Sequence, residues 1–256
     1  MPSALQYLPA AYSRTKYSIR FRIDALIREL RIIPRIGLDN PVNVSPACFD
    51  QEPIDLAKFL IGKVLRHKVD GYWLAAKIIE TEAYYRNEKG SHSSLGFTEA
   101  RKAMFMAPGT IYMYYARGGS SLNFSARGKG NGVLIKSGIA YVDRRSPVKT
   151  INMMQTMNPI NGRVRDVEKL CSGQTLLCKS LGLKVPEWNL KRLQRGRFVL
   201  HDVGDTPSAL IQAKRLGIPK GRDEDLPYRF LHPDYAHQAT RNPLHCDHQI
   251  IQLEPG

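Results

Sequence analysis

Two glutamates, Glu80 and Glu82, stand two residues apart with Tyr84 and His92 just beyond them, at the point where an apolar run ends. A carboxylate held in a cleft can take a proton from water and turn that water into a nucleophile. Its charge also stabilises positive charge growing on a carbon under attack. Aromatic rings beside it can grip a planar, electron-poor ligand through stacking and cation–π attraction. Strand alternation would project both carboxylates from one face at the strand's end. A solvated sheet edge can carry the same pair, so Glu80 and Glu82 alone do not assign a reaction.

The elements that must position these groups can be read on either side. Tyr72–Ile79 is an apolar, aromatic and β-branched run that predicts a buried strand, and Asp70-Gly71 supplies the tight turn that pairs it with Lys63–Val69. Ahead of it, apolar residues at 54, 56, 57, 60 and 61 predict a helix over Ile54–Ile61 after Pro53. Asn87–Arg101 is polar with two glycines and is expected as a loop. After Pro108-Gly109 a strand is expected to run to Tyr115, with Gly118–Ser121 interrupting it. Leu122–Ser125, Val133–Ser137 and Arg197–Asp202 are expected as further strands, and Ser146–Met157, Asp166–Leu181 and Ser208–Leu216 as helices. This order predicts an α+β fold: a single domain with a curved, largely antiparallel sheet flanked by helices.

The chain of 256 residues carries 38 Lys and Arg against 23 Asp and Glu, a net charge of +15, which favours polyanionic partners and above all nucleic acid. Cys48, Cys171, Cys178 and Cys246 form no C-x-x-C pair and suit a reducing compartment. His245-Cys246-Asp247-His248 crowds four potential ligands into adjacent positions, unlike the spaced ligands of structural zinc sites, so a flexible polar tail without metal is expected there. No apolar run approaches the roughly 20 residues that span a bilayer. Nor does a secretion signal open the chain. A cytoplasmic protein with no membrane partner is expected, nucleoid-associated if the source is a bacterium or nuclear if it is a eukaryote. Residues 1–45 read as a basic N-terminal extension, with a short amphipathic helix over Ile23–Ile33, ahead of a domain over residues 46–256. That extension fits either a phosphate-contacting arm or a segment packed on the core.

From about Phe49 to Phe230 the chain resembles the alkyladenine (3-methyladenine) DNA glycosylase family. The resemblance rests on Leu60–Leu65, Glu80-Thr81-Glu82-Ala83-Tyr84 with His92, Met104–Tyr114, Leu122–Ser125, Gly132–Lys136, Leu170-Cys171-Ser172-Gly173, Arg215–Ile218 and Tyr228-Arg229-Phe230, in the family's order. It implies a monomeric, monofunctional glycosylase of base excision repair that flips alkylated purines out of double-stranded DNA, with no metal or organic cofactor. Glu82 would then activate water, Tyr84 and His92 would flank one side of the flipped base and Tyr114 the other, and Asn123 would crowd out guanine's exocyclic amine. Tyr112 is expected on the opposite strand face, in a structural role.

Three departures from the family's pattern stand out. Lys136 replaces an arginine that helps hold the water, and it lacks the planar fork. The stretch that bears the family's DNA wedge is one residue shorter here and offers Tyr115 or Arg117. The spacing from Tyr84 to His92 is also one residue shorter. Two rival readings explain part of the pattern: a catalytically weak binder of damaged or structured nucleic acid, and an N-glycosidase of free nucleosides or nucleotides. Neither accounts for both a carboxylate facing a polyanion and the charge of +15.

Overall fold

The computed structural model describes residues 41–116 and 118–253. The expected helix at Ile23–Ile33, most of the expected extension, and the wedge candidate Arg117 lie outside the described residues. Among them are ten strands whose pairings are all antiparallel. In chain order these are β1 (Val42–Asn43), β2 (Val64–Val69), β3 (Tyr72–Tyr84), β4 (Ile111–Ala116), β5 (Gly119–Ser125), β6 (Gly132–Ala140), β7 (Phe198–Asp202), β8 (Ala209–Ala213), β9 (Arg229–Leu231) and β10 (His248–Gln252). The main path runs β1-β7-β2-β3-β6-β5-β4, and β9, β8 and β10 extend from the far half of β3. Among the described residues four α-helices accompany the sheet: α1 (Pro53–Leu60), α2 (Lys149–Met157), α3 (Gln174–Leu181) and α4 (Val185–Trp188).

The β2–β3 hairpin forms as its turn dictates, with Asp70 at φ 48° and Gly71 at φ 83°, the left-handed pair that a two-residue hairpin loop requires. Thirteen-residue β3 is the organising element. Its first half pairs with β2, its second with β6, and Glu80–Glu82 also pair with β9. α1 and α3 lie against the sheet, and Leu56, Leu60, Ile78, Phe124, Ile135, Leu177 and Trp188 fill the main core.

Several expectations need correction. Residues 208–216 do not form a helix. Ala209–Ala213 is a strand held between β9 and β10, and its short apolar run suits burial from both sides better than one helical stripe. The expected flexible C-terminal tail contains β10, which pairs with β8 over five residues. Its side chains are mostly exposed, so main-chain pairing defines it and no alternation marks it in sequence. The helix expected over Asp166–Leu181 breaks at Cys171–Gly173, where Gly173 takes φ 122°, leaving a 3-10 turn and α3. The loop expected over Asn87–Arg101 holds 3-10 turns at His92–Leu95 and from Glu99 onward.

Candidate active site

One row of side chains crosses the sheet and forms the floor of the site. Tyr112 on β4 pairs with Asn123 on β5, Asn123 with Leu134 on β6, and Leu134 with Glu82 on β3. Directly opposed residues share a face, so the row presents a phenol, an amide, an aliphatic chain and a carboxylate side by side. Two bulges adjust it. Ile79 on β3 and Lys136 on β6 are extra residues between successive pairs. A bulge re-aims its neighbours, and here the Lys136 ammonium reaches both oxygens of Glu82, at 3.2 and 3.3 Å.

The two glutamates have separate surroundings although both are fully buried. Glu80 accepts hydrogen bonds from Arg229 Nε at 2.6 Å, Ser137 Oγ at 2.6 Å and Thr240 N at 3.0 Å, which makes it the tie between β3, β6, β9 and the segment after β9. Glu82 accepts from Tyr84 Oη at 2.7 Å, Leu216 N at 3.0 Å and Lys136. Tyr84, Leu216 and Lys136 all line a cavity of about 320 Å³, which is of the size that ligand pockets occupy. Burial, then the neighbouring Glu82, push the Tyr84 phenol well above its ordinary range, so it remains a donor to that carboxylate.

Aromatic groups make the cavity's other walls. Tyr112 and Tyr114 are stacked with centroids 5.3 Å apart, and His92 meets Tyr114 edge-on at 4.6 Å and Tyr112 at 6.4 Å. The expectation that Tyr112 faces away is therefore wrong: residues two apart on a strand share a face, and Tyr112 lines the cavity with Tyr114. His92 sits at the mouth, nearest Tyr114. Partial burial, then Arg101 and Arg222, hold its imidazole below the usual pKa, which favours the neutral ring. The Tyr114 phenol is pushed up to about 12, by burial first and then by Tyr112. Asn123 donates its side-chain amide to the Tyr112 carbonyl at 3.1 Å, which fixes its orientation at the cavity wall. Tyr115 is 69% exposed on the opposite face of β4 from Tyr114.

Three contributors had no role in the reading of the sequence, although Arg215 and Leu216 fall in the Arg215–Ile218 piece of the family resemblance. Arg215 is buried behind Tyr84, its guanidinium 4.6 Å from that ring's centroid, donating to the Ala83 carbonyl and paired with Glu88 at 2.7 Å. Leu216, beside it, supplies the N–H that holds Glu82. Gln174, at the start of α3, donates to Ser121 at 2.8 Å and lines the cavity near Tyr114. Chain folding alone brings them in. Among the described residues no group of three or more His, Cys, Asp or Glu is placed to hold a metal ion, and no helix is long and apolar enough to cross a membrane.

The methylpurine-DNA glycosylase family matches residues 47–236. A protein of Pseudomonas aeruginosa (strain LESB58) named "Putative 3-methyladenine DNA glycosylase" is 59% identical over 197 residues, covering 77% of this chain and 82% of that protein. A protein of the same name from Pseudomonas syringae pv. tomato is 57% identical over 205 residues, 80% of this chain and 92% of that one. The DNA-3-methyladenine glycosylase of Mus musculus is 31% identical over 188 residues, 70% of this chain and 56% of that protein. The chain belongs to the methylpurine-DNA glycosylase family, and is thus a DNA-binding hydrolase of N-glycosyl bonds that acts in the repair of alkylated bases.

Proposed function

We propose that this glycosylase, acting as a monomer, releases alkylated purines of the 3-methyladenine and 7-methylguanine kind from double-stranded DNA by direct attack of a Glu82-activated water. The observation that carries the reading is a single buried carboxylate, Glu82, gripped by three groups that themselves line a cavity walled by Tyr112, Tyr114 and His92. A base inside a duplex cannot reach such a floor, so the nucleotide must swing out of the helix. The aromatic walls favour a base that carries positive charge, as an N3- or N7-alkylated purine does.

That charge also decides the chemistry. The bond between C1′ and the base nitrogen breaks with its electron pair going to the base, which leaves as a neutral molecule and needs no separate acid. Positive charge gathers on the sugar, where Glu82 stabilises it. Water adds to C1′ as its proton passes to the Glu82 carboxylate, leaving an abasic sugar in the strand. Lys136 holds Glu82 through both oxygens. Committed as a cation to Glu82, Lys136 serves to orient the carboxylate and leaves the abasic site uncut. Base release from duplexes each carrying one lesion, compared between the parent and Glu82→Gln, tests this reading. Equal release by the two proteins would remove it.

A further inference from the structure

The turn of the β2–β3 hairpin, at the opposite end of β3 from Tyr84, carries a second cationic cluster that the reaction does not use. Tyr72 is 40% exposed there, with Trp73 beside it. The segment leading into α2 folds over both rings: the Arg145 guanidinium lies 4.5 Å from the Trp73 centroid, and Lys149 Nζ lies 4.3 Å from that of Tyr72. Lys68, opposite Trp73 on β2, reaches the same indole at 6.0 Å. Arg144 is exposed alongside.

Among the described residues none of these four cations has a carboxylate within ion-pair distance. The nearest acid in sequence, Asp143, is committed to Arg66 through both oxygens and accepts the Arg145 and Ser146 backbone N–H groups. The other, Asp70, lies in the hairpin turn. His201, beneath the cluster, is held down to about 4 by burial first, with Arg66 and Arg145 adding to that and Asp143 opposing it. Cations already laid on ring faces have given up much of their rotamer freedom, so gripping an anion costs them less further order.

β3 fixes the distance between this cluster and the cavity. Twelve residue steps at about 3.3 Å put them roughly 40 Å apart along the strand. A helix bound across the cavity mouth would not need to reach the hairpin turn. We propose that Lys68, Arg144, Arg145 and Lys149, set on Tyr72 and Trp73, form a second site for the phosphates of duplex DNA, so that one molecule holds a second duplex segment while its cavity is applied to the first. Phosphate contacts of this kind carry no sequence information and would serve transfer between segments during search for a lesion. The inference takes from the glycosylase reading only the identity of the polyanion.

The test uses the full chain and short lesion-free duplexes in two fluorescent colours. The parent should capture the second colour while saturated with the first. Arg145→Glu with Lys149→Glu should hold one duplex only, and the salt dependence of second-duplex binding in Arg145→Gln with Lys149→Gln should fall by about 2 in slope, since each phosphate contact contributes about 0.9. Base release under saturating single-turnover conditions should stay within about twofold of the parent, and the Gln pair should melt with it, which guards against misfolding. A parent that binds a single duplex at low salt overturns the proposal. So does a charge-reversed protein that still holds two, which would place the second site elsewhere, or one that loses base release together with binding, which would merge the cluster with the catalytic footprint. If the parent holds two duplexes yet releases no base, the glycosylase reading fails and this one stands.

Discussion

Replacing Glu82 by Gln separates the chemistry from the scaffold more cleanly than any other change. An amide keeps the shape but cannot take a proton from water, and a positioned general base contributes typically 10²–10⁴ in rate, about 3–5.5 kcal/mol of barrier. The structure bounds the cost in stability. The Gln oxygen can still accept from Leu216 N and its NH₂ can still meet the Tyr84 oxygen, but Lys136 loses its counter-charge. Breaking a buried pair costs about 3–5 kcal/mol. Lys136 borders the cavity and can be rehydrated there, so a loss at or below the lower end is expected, a drop in Tm of several degrees at about 2–4 °C per kcal/mol. Removing a negative charge beneath a polyanion site should leave affinity for DNA unchanged or improved. Glu80→Gln should show the reverse profile: its carboxylate serves Arg229, Ser137 and Thr240, so stability falls further while the rate per folded molecule stays within about tenfold. Single-turnover base release from a one-lesion duplex, read beside thermal melts, gives both quantities. A folded Glu80→Gln protein that is inactive, with Glu82→Gln turning over within tenfold of the parent, would refute the assignment.

Four further outcomes are expected. Tyr84→Ala, Tyr112→Ala and Tyr114→Ala should each weaken capture of the flipped base by about 1–3 kcal/mol, the usual worth of one stacked ring, and a Tyr112→Ala protein with parental capture would remove that residue from the cavity's working wall. Borohydride added during turnover should trap no covalent protein–DNA adduct, whereas an adduct lost in Lys136→Gln would show that the amine attacks C1′. Gly62 has φ 83°, and a Cβ there would fall 1.9 Å from the Asp205 carbonyl oxygen, so Gly62→Ala should lower the urea midpoint sharply; parental stability would mean that the close approach relaxes. His201 titrates at about 4 in the folded chain against about 6.5 unfolded, so between those values the unfolded chain takes a proton that the native one refuses. Its share of stability, complete above pH 6.5, is therefore lost as pH falls toward 4, and the urea midpoint should drop over that window less steeply in His201→Gln.

Where a local rule decides the backbone, the fold was legible. The Asp70-Gly71 turn calls for a left-handed pair and has one, and the spacing of Ile54, Leu56, Ala57 and Leu60 gave α1 to within a residue at each end. Ala209–Ala213 misled because its four apolar residues, broken only by Gln212, fit one helical face as well as a strand covered by two neighbours. β10 left no trace in its side chains, since it is defined by hydrogen bonds to β8. In the site, strand alternation joins Tyr112 to Tyr114 and contradicts the opposite-face reading. The approach of Lys136 to Glu82 depends on a bulge, which pairing register creates and composition does not announce. Gln174 was invisible, and Arg215 and Leu216 were marked only as a family-like piece without a role, for a plainer reason: their neighbours in space lie far away in the chain.

That remoteness governs when the site comes into being. The N–H that holds Glu82 comes from a residue 134 positions later, and two of the three groups that anchor Glu80 come from 149 and 160 positions later, whereas Lys136 and Ser137 are only 54 and 57 away from their glutamates. Closing such long loops is slow, because their entropy is spent before the contacts reward it. During synthesis the hairpin and the β4–β5–β6 meander can pair as they emerge, yet the carboxylates of β3 stay only partly anchored, by Tyr84, Lys136 and Ser137, until the segment carrying Leu216, Arg229 and Thr240 has left the ribosome. A chain cut short before that segment would keep Tyr84 and Lys136 beside Glu82 but lose the Leu216 N–H, and with it two of the three anchors of Glu80. The last part of the domain to be made is thus the part that completes the hold on both carboxylates, so the order of synthesis sets when the site is finished.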